Sequence, residues 1–240
     1  MERMDILIIC GHGDGDPGAC ACGHKEAELV REFGPVLKNS LSQYADVDLY
    51  DMSKNLYKVQ KSGNIFNFKH YDYVIELHLN AAANDQNGNG HTTGVEILVH
   101  DSEKGISVEE EILSNICALG FKNRGVKRRN NLLNMNICKG KQNVSYALIE
   151  LCFIDDLDDI LLYMAKMDEM VAAITKGVVT GFNLKKIRSE ITSAKDITKV
   201  LDEKYFPINE KDNFVKVLDE AKKANSPLYW GYYKLVNEIK

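Results

Sequence analysis

Between residues 5 and 182 the apolar positions fall into two alternating periods. Asp5–Cys10 (DILIIC) is a short apolar run that predicts a buried first strand, and the loop GHGDGDPGACACG follows at once. In KEAELVREFGPVLKNSL the apolar residues Leu29, Val30, Phe33, Val36, Leu37 and Leu41 recur at helical spacing and form one stripe. Val47–Tyr50 predicts a second strand. Tyr71–Asn80 (YDYVIELHLN), rich in β-branched and aromatic residues, predicts a third. An Asn/Gly loop over 84–94 leads to a strand at Gly94–His100. A helix over Glu109–Leu119, a strand over Ser145–Phe153 (SYALIELCF) and a long helix over Asp158–Phe182 complete the series. Strands alternating with helices predict an α/β fold: a twisted, mainly parallel sheet flanked by helices on both faces, with its ligand site beyond the carboxyl ends of the strands.

Past about residue 185 the pattern changes. Residues 1–184 read as one catalytic-sized domain, and 185–240 as a small C-terminal helical appendage. The appendage is rich in Lys, Glu and Asp, with short amphipathic helices near 194–204, 210–224 and 227–239 punctuated by Pro207 and Pro227. Its aromatic cluster, Tyr229, Trp230, Tyr232 and Tyr233, suits the core of a small bundle, a wall-polymer contact or an interface with a second copy, hence a homo-oligomer.

Composition narrows the partners. A chain of 240 residues with 45% hydrophobic content has enough apolar material for one real core. A formal net charge of -5 argues against nucleic acid, whose phosphates call for a basic face. The apolar run Ile6–Cys10 is too short for a secretory core or a membrane span, and no later stretch is long enough to insert. A soluble chain made in the cytoplasm is the expectation. The six cysteines lack metal-knuckle spacing, Cys20-Ala-Cys22 included, and read as free thiols.

Four residues interrupt the apolar pattern at the predicted site end. His12 follows the first strand in a glycine-rich loop, where a hydrogen-bonded loop histidine is the plainer reading. Glu26 precedes Leu29, Val30, Phe33 and Leu37 by 3, 4, 7 and 11 positions, which puts it on the helix's apolar face. A carboxylate there needs a metal or a partner, unless the first turn keeps it wet. His78 shares a strand face with Val74, Glu76 and Asn80, and that face turns polar toward its carboxyl end. Glu76 is either a rim residue or the group that orients an imidazole. Glu150 lies inside ALIELCF, where a buried ion pair competes with a general base. Two histidines and one carboxylate form an open three-ligand zinc set.

These motifs, GHGDGDPGA, Glu26 in KEAELV, IELHLNA around His78 and ALIELCF around Glu150, resemble the zinc-dependent N-acetylmuramoyl-L-alanine amidases of the Amidase_3 type over about residues 3–184. That family comprises bacterial autolysins and phage endolysins. The resemblance implies one Zn2+ held by His12, Glu26 and His78, with Glu150 as the catalytic acid/base. It also implies hydrolysis, by zinc-activated water, of the amide between N-acetylmuramic acid and L-alanine in bacterial peptidoglycan. An enzyme without a leader fits a phage-type endolysin that acts on the wall after release. In the family the first motif reads GHGG where Asp14 stands here, and a Gly often precedes the Phe where Cys152 stands. His24 is an extra candidate near the metal. Arg124, Lys127 and Arg128, in the basic segment 121–129, are candidates for pairing with stem-peptide carboxylates, with Asn80 a further substrate contact; a solvated charge run explains the segment equally well. The loop 84–94 is placed to cover the groove, with His91 in it. A zinc carboxypeptidase or other peptidase on the same stems, and a non-catalytic wall-binding module, are the alternatives.

Overall fold

The structure, a computed structural model, describes residues 3–186 together with Lys222 and Lys223. The C-terminal helices expected from the sequence and the aromatic cluster around Trp230 lie outside the described residues, apart from those two helical lysines. Eight strands and five α-helices occur among the described residues. In chain order they are β1 (Asp5–Cys10), β2 (Cys20–Ala21), β3 (His24–Lys25), α1 (Glu26–Leu41), β4 (Asp46–Leu49), α2 (Leu56–Lys61), β5 (Tyr73–Asn80), β6 (Val95–His100), α3 (Ser107–Cys117), β7 (Asn123–Arg129), α4 (Leu133–Met135), β8 (Ser145–Phe153) and α5 (Leu157–Gly181). A wide π-helical turn, Asn136–Lys141, continues α4.

Six strands form one sheet in the order β4-β1-β5-β8-β6-β7. Neighbours are parallel except at β8 and β6, which run antiparallel. The sheet is thus mainly parallel, as the alternation of elements predicts. The one reversal matters for the site, because it brings the start of β6 beside the carboxyl-terminal half of β8.

Strand alternation divides the core. Ile6, Ile8, Tyr73, Ile75, Leu77, Ile97, Ala147 and Ile149 pack on one face against α1, α3 and α5. Leu7, Ile9, Val74, Leu98, Tyr146 and Leu148 face the other way, under Leu56, Phe68, Met135, Ile137 and Cys138. Three long helices therefore cover the first face, whereas short pieces of chain cover the second. On that second face the apolar rows stop abruptly. Beyond Val74 come Glu76, His78 and Asn80, beyond Leu148 comes Glu150, and before Leu98 comes Glu96. Packing thus ends where the polar groups begin, all at one end of the sheet.

α1 starts without a side-chain cap. Its first amides, Glu26 N and Ala27 N, donate instead to the carbonyls of Ala19 and Pro17, and these bonds fix the loop after β1 to the helix. α5 is capped by the Asp156 carboxylate, which accepts from the amides of Asp158 and Asp159, and it kinks at Lys166, whose φ of -126° is not helical. All six cysteines are free thiols. Among the described residues no helix is long and apolar enough to cross a membrane.

α3 and α5 touch at Gly177. A Cβ built there would lie 2.6 Å from Ile112 Cα and 2.7 Å from its amide nitrogen, both backbone atoms that cannot swing aside. We expect Gly177→Ala to destabilise the fold by about 1–3 kcal/mol through forced separation of the two helices, despite alanine's better helix propensity. Chemical denaturation measures this, and an unchanged midpoint would refute the close contact.

Candidate functional site

Glu26, the first residue of α1, is 3% exposed and lies at the centre of the polar end. Its Oε1 accepts from the Leu79 amide at 3.0 Å and lies 2.8 Å from His78 Nδ1. Its Oε2 accepts from the Ala19 amide at 3.0 Å and lies 3.1 Å from His12 Nε2. The two imidazoles stand edge to face with centroids 4.9 Å apart. Candidate ligand atoms of His12, Glu26 and His78 all fall within 4.8 Å of one another. Burial pushes the Glu26 carboxyl up, but bonding to the two imidazoles and the Ala19 amide outweighs it and holds the group below the usual carboxylate range. Burial likewise disfavours charge on the imidazoles. The Glu26 carboxylate overcomes that and raises both, with Asp16 adding to His12 and Glu76 to His78.

Small residues permit the close approach. A Cβ at Gly11 would sit 2.4 Å from His78 Cε1, and one at Gly18 would sit 2.7 Å from Glu26 Oε2 and 2.8 Å from His12 Cδ2. His12 itself adopts the left-handed region, φ 58°, a costly conformation for a non-glycine residue. Its carbonyl accepts from Arg31 Nη2 at 2.9 Å, and the Gly11 carbonyl accepts from Arg31 Nη1 at 2.8 Å. Sequence periodicity assigns Arg31 to the solvent side of α1. The structure shows it half-buried, holding the histidine loop in place.

Each imidazole uses its second nitrogen on a carboxylate. His12 Nδ1 lies 3.0 Å from Asp16 Oδ2, and His78 Nε2 lies 3.3 Å from Glu76 Oε1. Those carboxylates are held in turn. Asn55 Nδ2 donates to Asp16 at 3.2 Å, and Asn134 Nδ2 donates to Glu76 at 2.9 Å while its Oδ1 accepts from Gln60 Nε2 at 2.7 Å. This is how proteins fix histidine orientation around a cation. Of these supports, only Glu76 was legible in the sequence.

Glu150 pairs in register with His78 on β5 and with Glu96 on β6. Its side chain is partly exposed, yet its Oε2 is sealed from solvent and has no hydrogen-bond partner among the described residues. Burial raises its carboxyl to about 7. Glu26, Glu96 and Glu76 add to the rise, and His78 opposes it. A carboxyl that changes charge near neutrality beside the His78 imidazole is suited to proton transfer.

The remaining candidates separate. Asn80, Arg124 and Lys127 all converge on the 6% exposed Glu96. Arg128 does not join them: it donates to the carbonyls of Asp101 and Glu103 at the opposite end of the sheet. His24, half-buried on β3, belongs to no group of ligating side chains among the described residues, and His91 is exposed on its loop. The loop itself is pinned from below. Asp155 accepts from the amides of Ala82, Ala83 and Asn84, Asp158 from Asn89 and Gly90, Asp156 from Thr93, and Asp159 from Gly94. A cleft of about 290 Å³ opens beside His12 and His78, between Tyr57 of α2 and residues 131–134.

Three comparisons bear on this site. The family described as N-acetylmuramoyl-L-alanine amidase matches residues 6–181. A curated relative, the probable autolysin PH of Staphylococcus aureus, is 28% identical over 200 residues, which is 75% of this chain and 39% of that protein. The chain thus spans about two fifths of that relative's length. Among solved structures, the catalytic domain of the CD27L endolysin targeting Clostridia difficile is 27% identical with a TM-score of 0.59, covering 74% of this chain and 98% of that one. The amidase AmiC2 of Nostoc punctiforme, 19% identical with a TM-score of 0.60 over 76% and 98% of the two chains, shares the fold.

Proposed function

This chain belongs to the N-acetylmuramoyl-L-alanine amidase family, and from that membership we propose that it hydrolyses the amide joining N-acetylmuramic acid to L-alanine in peptidoglycan, with one zinc ion held by His12, Glu26 and His78. The observation that carries the reading is the Glu26 carboxylate placed between two imidazoles whose far nitrogens are already engaged by Asp16 and Glu76. Two neutral imidazoles and a carboxylate are a donor set that zinc favours in hydrolytic sites. The Glu150 Oε2, sealed and without a partner, supports a working group beside that set.

When bound, zinc supplies Lewis-acid polarisation of the amide carbonyl and compensates the negative charge that develops on its oxygen. The protein's own residues do the rest. Glu150 accepts a proton from the attacking water, whose oxygen bonds to the carbonyl carbon. It then delivers that proton to the L-alanine nitrogen as the C–N bond breaks, which leaves a free carboxylic acid on the muramic acid side and a free amine on L-alanine. Asp16 and Glu76 keep the imidazoles turned toward Glu26 throughout. Both an autolysin and an endolysin lie among the relatives, which supports a wall-degrading role, including that of a phage-type lysin reaching the wall after release.

The test is a digest of purified peptidoglycan with the whole chain, run with zinc, with chelator, and with zinc restored. New L-alanine amino termini that vanish with chelator and return with zinc are expected. Release of terminal D-alanine without them would instead mean a carboxypeptidase.

The supports of the imidazoles make a graded prediction. Asn134→Ala removes the donor that fixes Glu76, which orients His78, without touching a proposed ligand. Zinc affinity is expected to fall about 10- to 100-fold. Competition against a chromophoric chelator measures it, and an affinity equal to that of the unaltered protein would show that His78 is oriented without this chain of hydrogen bonds.

A further inference from the structure

Four neighbouring strands carry a transverse row of charge. His78 on β5 pairs with Glu150 on β8, Glu150 pairs across the antiparallel junction with Glu96 on β6, and Glu96 reaches two cations on β7. Glu96 Oε2 accepts from Arg124 Nε at 2.8 Å and from Lys127 Nζ at 2.5 Å, while its Oε1 accepts from Asn80 Nδ2 at 3.2 Å. Attraction to the two cations outweighs burial and holds the Glu96 carboxyl below its ordinary range.

One buried carboxylate serving two cations leaves that cluster with one unbalanced positive charge. The arrangement is more than a solvated charge run, because an acid 6% exposed is costly unless its partners are fixed. Both cations keep an outward side: 30% of the Arg124 side chain and 33% of the Lys127 side chain are exposed. Arg124 directs Nε to Glu96 and Nη1 to the Thr93 carbonyl, which leaves its Nη2 end available, and its guanidinium lies 4.7 Å from the centre of the Phe153 ring. A guanidinium held along one edge and over one face points its remaining N–H groups in a fixed direction, which suits an anionic partner such as a carboxylate.

We propose that Glu96 is a positioning residue that holds Arg124 and Lys127 as a fork for a free carboxylate on the peptide part of the substrate. The proposal rests on the amidase reading above and makes it more specific, since the fork lies two strands from Glu150, on the side away from His78. It assigns the anion contact to Arg124 and Lys127 and leaves Arg128 out.

Calorimetry on the zinc-loaded full-length chain carrying Glu150→Gln tests the fork without turnover, with two soluble muropeptides that differ only in whether one stem carboxylate is free or amidated. The free carboxylate is expected to bind about tenfold tighter. Adding Glu96→Gln should erase that preference while leaving the amidated ligand's affinity within about twofold, and Arg124→Gln should do the same. Combining the two should cost no more than either alone, because both remove one unit. Arg124→Lys, which keeps the charge but not the fork, should lose most of the preference, and it serves if Glu96→Gln lowers the melting temperature. Equal affinity for the two ligands, an equal loss on both ligands in Glu96→Gln, or additive losses in the double variant would each overturn the fork. The amidase reading stands or falls separately, on whether the unaltered chain cuts either ligand.

Discussion

Glu150→Gln is expected to lower the turnover of wall-amide cleavage by roughly 10²- to 10⁴-fold while leaving both the fold and zinc binding in place. The argument starts from the hydrogen bonds. Oε2 of Glu150 has no partner among the described residues, so exchange for the isosteric amide breaks none of those the carboxylate makes there. What disappears is a site that gains and loses a proton near neutral pH, where burial has raised the carboxyl to about 7. Stability gives an independent readout. Where a folded carboxyl lies above its unfolded value, the folded chain retains a proton that the unfolded chain has released, so stability declines as pH rises between the two values. In chelator, the unaltered protein should therefore lose stability relative to Glu150→Gln between about pH 4.5 and pH 7, and the gap should stay constant above that. Muropeptide kinetics, zinc analysis and urea denaturation at pH 5 and pH 8 decide the matter. A variant that turns over at the unaltered rate would remove Glu150 from the chemistry.

The second large effect is expected at Glu26. Glu26→Ala removes the carboxylate that meets both imidazoles and accepts two backbone amides, from Ala19 and Leu79, in a place 3% exposed. Four donors then face a void. The loss of a buried, fully paired charge typically costs about 3–5 kcal/mol, so the chelator-treated variant should unfold at distinctly lower denaturant. Zinc should no longer bind in stoichiometric amount, since two imidazoles without the carboxylate are an incomplete set. Calorimetric zinc titration alongside denaturation separates the two effects. Stoichiometric zinc in the Ala variant would mean that the cation, if any, sits elsewhere.

The sequence exposes those parts of the site that break a pattern. Glu26 and Glu150 stand where the period calls for an apolar side chain, His78 lies on a strand face that turns polar toward its end, and the structure brings all three together with His12. The same test fails for residues that sit where polar groups are expected. Asp16 and Asn55 lie on loops, and Arg31 falls on the charged side of α1, although its guanidinium reaches back to the His12 carbonyl. No local spacing encodes that reach. Glu96 was legible as a strand residue, but its partners come from β7, whose sequence NRGVKRR carries none of the apolar alternation of a strand. As a mostly solvent-facing edge strand it has little to bury, and its charges suit an edge that must not recruit further strands. The reversal of β6 was hidden for a similar reason. Its alternation shows which face is apolar but not which way the strand runs, and only pairing with β8 fixes its direction.

The aspartates that hold the loop over the site end of the sheet do so through main-chain amides at 82–84, 89–90 and 93–94. An amide bond is indifferent to the side chain beside it, so this attachment constrains the path of the loop and leaves its letters open. Apart from Gly88, Gly90 and Gly94, which hold positive φ, and Thr93, whose hydroxyl also donates to Asp156, the outward residues there are free to be rewritten, by natural drift or by grafting, to fit a different cell-wall chemistry without rebuilding the polar centre underneath.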